Sequence, residues 1–231
     1  MKVIGLIGGM SWESSVPYYR QINEVVRERL GGLHSARIVL YSVDFHAIEQ
    51  LQRAGDWDAA GAHMAAAAKS LVAAGAEMLV LCTNTMHQVA PAIEAAVSVP
   101  FLHIADPTGE AIQSAGLAKV GLLGTRFTME RDFYKERLRQ KFGLAVIVPH
   151  AAQREQVHQV IYQELCLGKM EPVSRELYRA VMADLVAQGA QAIVLGCTEI
   201  SLLVGAADAA VPLFDTTAIH ARRAALMALG E

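Results

Sequence analysis

Short apolar runs alternate along this chain with longer segments of helical periodicity. The apolar runs predict six buried strands, at residues 2–8, 37–43, 78–83, 119–124, 144–149 and 192–197. Between them, helical patterns predict helices over residues 18–30, 57–74, 129–142, 153–167 and 175–188. Strands and helices that alternate in this way are typical of βαβ units, in which a mostly parallel sheet is covered on both faces. We therefore predict an α/β fold.

The chain also repeats itself. The run GLIG at 5–8 returns as GLLG at 121–124, the apolar run ending at residue 81 returns 114 residues later, and Val-Pro at 99–100 returns at 211–212. Three echoes in the same order indicate two similar α/β lobes that face one another. We place the first lobe at 1–105, expect 213–231 to join it, and place the second lobe at 106–212. Ligands in open parallel sheets bind outside the carboxyl ends of the strands, so the predicted site is the cleft between the lobes.

Composition and charge restrict the class of protein. Hydrophobic residues make up 53% of the chain and charged residues 19%, with a net charge of -3, which is typical of a globular enzyme or binding protein. No block of like charge predicts binding to nucleic acid or to an anionic membrane. No apolar stretch is long enough to span a bilayer, and the N-terminal apolar run at 3–7 is too short for the core of a signal peptide, so we expect a cytoplasmic protein. Three cysteines, an odd and sparse set, argue against a disulfide framework.

The internal repeat separates the three cysteines. At a shift of 114 residues, Cys197 corresponds to Thr83 and not to Cys82. Because neighbouring residues of a strand point to opposite faces, we expect Cys82 to lie in the packing behind its strand if Thr83 faces the cleft. We interpret Cys82, and Cys166 in a helical segment, as small buried apolar side chains.

Cys197 is the candidate reactive thiol. It ends a predicted strand, and Thr198 and Glu199 after it are interpreted as the start of a short helix over 200–204. A thiol near a helix N-terminus has a lowered pKa and a larger thiolate fraction, and we expect this of Cys197.

Other polar side chains also follow predicted strands. Asn84 and Thr85 offer an amide and a hydroxyl that could hold a carboxylate, besides serving as turn residues, and Thr125 and Thr128 offer further hydroxyls. The glycine-rich turns match neither a dinucleotide fingerprint nor a lysine-containing phosphate loop. The eight histidines lack the spacing of zinc ligands, so we expect no metal site. His87 is either a capping residue or a polar group of the cleft.

Three motifs together resemble the aspartate/glutamate racemase family, and in particular its broad-specificity bacterial amino-acid racemases. They are IGLIGGMSWES at 4–14, CTNTMH at 82–87 and GCTEI at 196–200, and the resemblance extends over essentially the whole chain. It implies two α/β lobes related by a pseudo-two-fold axis, a homodimer, and neither pyridoxal phosphate nor a metal. It also implies that one cysteine thiolate removes a proton from the substrate Cα while a second cysteine returns one on the opposite face.

The chain departs from the family pattern at the first cysteine. Where the family has Cys-Asn-Thr, this chain has Thr-Asn-Thr beginning at Thr83, so only the motif at Cys197 keeps its thiol. Glu199 replaces the histidine of dedicated glutamate racemases, which favours aspartate or a wider substrate range. By similarity, the residues that bind substrate are Met10, Gln52, Asn84, Thr85, Thr125, Thr128, Thr198 and Glu199.

The predicted function is therefore a cofactor-independent interconversion of L- and D-amino acids, aspartate, glutamate or a broader set. Cys197 is the expected base, and Thr83 stands in the place of the second cysteine. The loss of that cysteine leaves open a single-cysteine decarboxylase or cis-trans isomerase of the same superfamily. A non-catalytic amino-acid-binding protein is the other alternative, against which the intact Cys197-Thr198 motif argues.

Overall fold

The computed structural model describes every residue from Met1 to Glu231. Eight strands form two four-stranded sheets, and the chain divides into two compact units. The first unit contains Met1–Ile104 and His220–Glu231, and the second contains Ala105–Ile219. No helix is long and apolar enough to cross a membrane.

The first unit has a parallel sheet in the order β2-β1-β3-β4. Its strands are β1 (Ile4–Gly8), β2 (Ile38–Ser42), β3 (Met78–Leu81) and β4 (Phe101–Leu102). Its helices are α1 (Trp12–Leu30), α2 (Phe45–Ala54), α3 (Trp57–Ala73) and α4 (Ala90–Ala96), and a short 3-10 helix spans Thr85–Val89. Every residue of β1 and β3 is buried, which explains why both read as continuous apolar runs.

The second unit has the same strand order, β6-β5-β7-β8, and is again parallel throughout. Its strands are β5 (Lys119–Gly124), β6 (Ala145–Ile147), β7 (Ala192–Gly196) and β8 (Leu213–Asp215). Its helices are α5 (Ala105–Ser114), α6 (Arg126–Glu130), α7 (Asp132–Phe142), α8 (Ala151–Gln163), α9 (Pro172–Ala187) and α10 (Ile200–Leu203), with 3-10 helices at Leu165–Leu167 and Ala206–Asp208. The last helix, α11 (Thr216–Leu229), begins in the second unit and ends in the first.

Residues that repeat in the sequence occupy equivalent pairing positions in the two sheets. Gly5 pairs with Leu79 in the first sheet, and Gly121 pairs with Ile193 in the second. A Cβ on Gly5 would lie 2.7 Å from the Leu79 side chain, and one on Gly121 would lie 2.9 Å from that of Ile193. Both sheets therefore need a residue without a side chain at this point, because the neighbouring strand fills the space. The shared glycine preserves the same close approach in both units.

Several predicted boundaries differ from the structure. The predicted helix over 129–142 is two helices, α6 and α7, because Arg131 between them has an extended backbone with ψ 156°. The predicted helix over 153–167 ends at Gln163 and is followed by a 3-10 turn. Residues 213–219 belong to the second unit and not to the first, because β8 hydrogen-bonds to β7. Only His220–Glu231 return to the first unit.

In each unit, the helix that follows the last strand of the sheet belongs wholly or mostly to the other unit. Helix α5 follows β4 of the first unit but belongs to the second, where it packs against α7. Helix α11 follows β8 of the second unit, and its later part supplies buried alanines to the core cluster of the first unit that includes Ile4, Tyr18 and Met78. These alanines are Ala221, Ala224, Ala225 and Ala228. Each unit thus contains a helix that follows the final strand of the other unit's sheet.

Candidate active site

In the second unit, a thiol and a carboxylate lie together at the end of a central strand. Cys197 follows β7 directly and is 7% exposed. Its Sγ donates to Oε2 of Glu199 at 3.0 Å, and the Thr198 hydroxyl donates to the same oxygen at 2.6 Å. Glu199 is only 2% exposed. A buried carboxylate oxygen therefore accepts hydrogen bonds from both residues that precede Glu199.

The expected lowering of the Cys197 pKa is wrong. Burial first, and then the negative charge of Glu199, raise the pKa of Cys197 well above its usual value. The helix that follows, α10, has four residues, and a single turn offers too little positive potential to offset an anion in contact with the thiol. Cys197 is therefore a thiol at rest, and any reaction that needs its thiolate also needs a nearby acceptor for its proton. The oxygen to which the thiol donates is Oε2 of Glu199.

Cys166 is more than the inert apolar side chain that the sequence suggested. It lies in the 3-10 helix after α8, partly buried, and its Sγ lies 3.6 Å from Oε1 of Glu199. Burial and the Glu199 carboxylate raise the pKa of Cys166, so it remains a protonated donor. Sequence reasoning missed this contact because Cys166 and Cys197 belong to no common motif. Helix α9 and strand β7 lie between them in the chain.

Two hydroxyls lie at the same edge of the second sheet. Gly124 at the end of β5 pairs with Gly196 at the end of β7, so Thr125 and Cys197 follow neighbouring strands. The Thr125 hydroxyl accepts from the Thr128 amide at 3.3 Å and so caps α6. The two threonine hydroxyls are themselves 3.3 Å apart, and both residues are buried. The Thr125 hydroxyl therefore already serves the start of α6.

In the first unit, Thr83 occupies the position equivalent to Cys197. Leu81 pairs with Ile7 just as Leu195 pairs with Leu123, and Thr83 and Cys197 each lie two residues beyond that pair. Thr83 is 7% exposed, as Cys197 is. The positional match places a hydroxyl at one strand end where the other has a thiol.

His87 holds the backbone at Thr83. Its Nδ1 donates to the Thr83 carbonyl at 2.7 Å, and its Nε2 accepts from the Ile104 amide at 3.1 Å. Because an amide can only donate, Nε2 carries no proton and the ring is neutral. His87 is 1% exposed and packs against the ring of His103 at a centroid distance of 4.5 Å. Of the two interpretations left open for this residue, these contacts favour a structural one.

The other first-unit candidates are buried near the ends of β1 and β3. Asn84 and Thr85 begin the 3-10 helix after β3 and are 2% and 5% exposed. The Gln52 amide donates to the sulfur of Met86 at 3.1 Å, and Met10 belongs to the same buried cluster as Met86. β1 and β3 pair directly, so Met10 and Thr83 follow neighbouring strands.

Cys82 lies in the core, as predicted. It is fully buried and belongs to the cluster formed by α1, α11 and the first sheet. Burial raises the pKa of its thiol. No group of three or more His, Cys, Asp or Glu side chains is arranged to hold a metal ion.

Comparison with known proteins identifies the group to which this architecture belongs. The family model described as Asp/Glu/hydantoin racemase matches residues 7–224. Among curated proteins, the chain is 24% identical over 226 residues to the broad specificity amino-acid racemase RacX of Bacillus subtilis (strain 168), covering 95% of each chain.

Solved structures agree with this match. A protein of Yersinia pestis, assigned to the Asp/Glu racemases, is 60% identical with a TM-score of 0.92, over 99% of this chain and 100% of that one. An aspartate racemase homologue from Pyrococcus horikoshii OT3 is 34% identical with a TM-score of 0.84, over 99% and 100%. The aspartate racemase of Picrophilus torridus shares the fold, with a TM-score of 0.81 at 19% identity, over 100% of this chain and 95% of that one.

Proposed function

Because the chain belongs to the Asp/Glu/hydantoin racemase family, we propose that it is an isomerase that interconverts L- and D-amino acids without a cofactor. Aspartate, glutamate or a wider set is the proposed substrate class, consistent with the names of its relatives. The observation that carries the proposal is the Cys197 thiol held 3.0 Å from a buried carboxylate at the end of a central strand.

The first step is removal of the substrate Cα proton by Cys197. Before that, the thiol proton passes to Oε2 of Glu199, which lies 3.0 Å away, leaving a thiolate beside a carboxylic acid. The net charge of the pair does not change, so the transfer avoids placing two anions in a buried site. The thiolate then takes the Cα proton and becomes a thiol again. Glu199 is thus a proton acceptor for the base, in addition to the substrate-binding role that similarity suggested.

The second step is protonation of the opposite face of Cα. We assign it to Thr83, whose hydroxyl gives its proton to the carbanion while it accepts one from water. Glu199 afterwards releases its proton to solvent, so one proton enters and one leaves in each turnover. A threonine hydroxyl is too weak an acid to be ionised near neutral pH, so Thr83 cannot begin the reaction as a base.

The carbanion must be stabilised by hydrogen bonds, since no electron-sink cofactor takes part. We propose that Asn84, Thr85 and the backbone at Thr198 hold the substrate carboxylate. The Thr198 hydroxyl already donates to Glu199 at 2.6 Å, which favours its amide over its hydroxyl for this contact. Met10, Gln52, Thr125 and Thr128 are proposed to line the remainder of the site.

The decisive experiment follows the Cα proton itself. The purified protein is incubated in deuterium oxide, without added cofactor and with a chelator, with a panel of L-amino acids. We expect deuterium at Cα together with appearance of the D-enantiomer. Binding without exchange would instead identify an amino-acid-binding protein. An arylmalonate and maleate are included because a protein with one thiol at such a site suits a decarboxylase or a cis-trans isomerase. Turnover of either, without amino-acid exchange, would replace the proposal.

We also propose a cytoplasmic homodimer. All three cysteines are free, which suits a reducing compartment. The dimer rests on the resemblance to the family. Light scattering at micromolar concentration is expected to give twice the chain mass, and a monomer mass would contradict it.

A further inference from the structure

Helix α1 buries one side and leaves a row of apolar side chains on the other. Its inner side packs into the first-unit core through Tyr18, Ile22, Val25 and Val26. On the outer side, Trp12, Val16 and Tyr19 are 63%, 49% and 56% exposed. Residues four and seven apart lie on the same face of a helix, so these three side chains form one patch. Exposed aromatic side chains grouped in this way are typical of a surface that binds another protein.

A groove runs beside this row and has a volume of about 550 Å³. Val16, Tyr19 and Arg20 of α1 line it, together with His34 and Ser35 from the segment before β2. A groove of this kind next to an exposed helix can receive a bulky apolar side chain, which is how the strongest contacts of protein interfaces are usually built.

The edge of the first sheet extends the surface. Strand β2 lies at one end of the sheet, and Leu40 and Tyr41 on it are exposed. The Leu40 side chain reaches the start of α1, because a Cβ on Gly8 would lie 3.0 Å from Leu40 and 2.6 Å from Ser15. A stable interface takes about 20–30 residues from each partner. A partner that covers the row on α1 must therefore cover β2 as well.

We infer that the surface formed by α1 and β2 binds a second copy of this chain about a two-fold axis at Val16. The inference rests on the proposed homodimer and not on the proposed reaction. Across such an axis the two α1 helices are antiparallel, so a residue before Val16 faces the residue equally far after it on the other copy. Trp12 therefore faces Arg20 of the partner subunit, at the groove, and the guanidinium stacks on the indole ring.

The charges beside this row match a second copy. Glu13 and Arg20 form no ion pair within the chain, whereas Glu28 of the same helix pairs with Arg222 at 3.2 Å. Glu13 lies three positions before Val16 and Arg20 four positions after it, so each meets the opposite charge across the axis. A partner of one charge sign would leave one of the two unpaired. The surface is thus complementary to itself, as a two-fold interface must be.

The first test is the oligomeric state of variants with a charge on the axis. Val16→Arg places two like charges opposite one another, so the dissociation constant of the dimer is expected to rise at least about 100-fold. Light scattering at micromolar concentration should then give the mass of one chain. The matched control is Val173→Arg in α9 of the second unit, where Val173 is 82% exposed, and it should stay dimeric. A dimeric Val16→Arg, or a monomeric Val173→Arg, would overturn the inference.

A disulfide across the axis supplies the second readout. Val16→Cys brings two thiols together where the helices cross, so mild oxidation should give a covalent dimer on a non-reducing gel. Val173→Cys should give none, and the wild type, with its three cysteines, sets the background. A dimeric Val16→Cys that does not cross-link contradicts an axis at Val16.

The aromatic anchor is tested separately. Trp12→Ala is expected to raise the dissociation constant of the dimer about 10- to 100-fold, and Trp12→Phe to recover part of the loss, because it keeps an aromatic ring for the groove. An unchanged constant in Trp12→Ala would refute the contact with Arg20 of the partner subunit. A monomeric wild type overturns the inference whether or not it exchanges Cα protons. A dimer with the expected cross-link but no Cα exchange overturns only the proposed reaction.

Discussion

The ends of β3 and β7 are equivalent in sheet register but differ in what surrounds them. Beyond β3, Thr83 has its carbonyl bound by His87, and the ring connects that carbonyl to the amide of Ile104. Beyond β7, Cys197 has its side chain bound by Glu199, and the carboxylate connects it to Cys166. In the first unit the neighbouring residues bind the backbone, whereas in the second they bind the side chain itself. The duplicated fold supplies two matching positions, and the side chains around each decide what it can do.

The largest expected effect comes from removing the thiol. Cys197→Ala should reduce Cα exchange by several orders of magnitude, because it removes the thiolate that takes the Cα proton in the proposed first step. The folded state should persist, judged by an unchanged circular dichroism spectrum. The matched control is Cys82→Ala, the same change at the residue before Thr83, which should keep most of the activity. If Cys82 proved essential and Cys197 dispensable, the equivalence of Thr83 and Cys197 would be wrong by one residue.

The second expected effect is an asymmetry between the two directions. With a thiol on one face and a hydroxyl on the other, kcat from the L-enantiomer should exceed kcat from the D-enantiomer. The equilibrium constant between enantiomers is one, so kcat/KM must be equal in both directions and KM must differ as kcat does. Thr83→Cys should raise the D-to-L kcat by roughly 10- to 100-fold, since it supplies a group that can act as a base.

Initial rates from each enantiomer, in the wild type and in Thr83→Cys, test this asymmetry. Thr83→Ser serves as the matched control, because it keeps the hydroxyl and should leave the asymmetry in place. Equal kcat values in the wild type would remove the assigned role of Thr83.

The smallest expected effect concerns stability. Cys82 is fully buried in the first-unit core, so Cys82→Ala should destabilise the protein by about 1–2 kcal/mol through lost packing. A lower urea midpoint for Cys82→Ala than for Cys197→Ala would separate a core thiol from a thiol at a strand end. Equal midpoints would indicate that the Cys82 side chain contributes little to the core.

The repeat in the sequence predicted the fold well because its glycines and prolines occupy matching positions in the pairing of the two sheets. The proline carbonyls at 100 and 212 accept from Leu79 and Ile193 at matching points of the two sheets. Strands β4 and β8 were missed because two and three residues are too short to show a period. Helix α11 was missed because its alanine-rich buried face gives little contrast between apolar and polar positions.

The chemistry of Cys197 was predicted less well than its position. A sequence does not report where a neighbouring side chain points, and Glu199 would have left the thiol unaffected had it faced solvent. Burial of the thiol first, and then the charge of the adjacent Glu199, reverse the expected direction of the Cys197 pKa shift. The contact from Cys166 depends on the packing of two elements, so neither motif nor spacing could reveal it.

The exchange of last helices has a consequence for synthesis of the chain on the ribosome. Domains ordinarily fold in the order in which they are translated. Here the first unit begins first but still lacks Ala221, Ala224, Ala225 and Ala228, which complete its core, until the C-terminal helix has been made. The second unit, a single run from Ala105 to Ile219, is fully translated before that. A nascent chain that stops early therefore leaves the Thr83 unit incomplete, and the part translated first is the last to be finished.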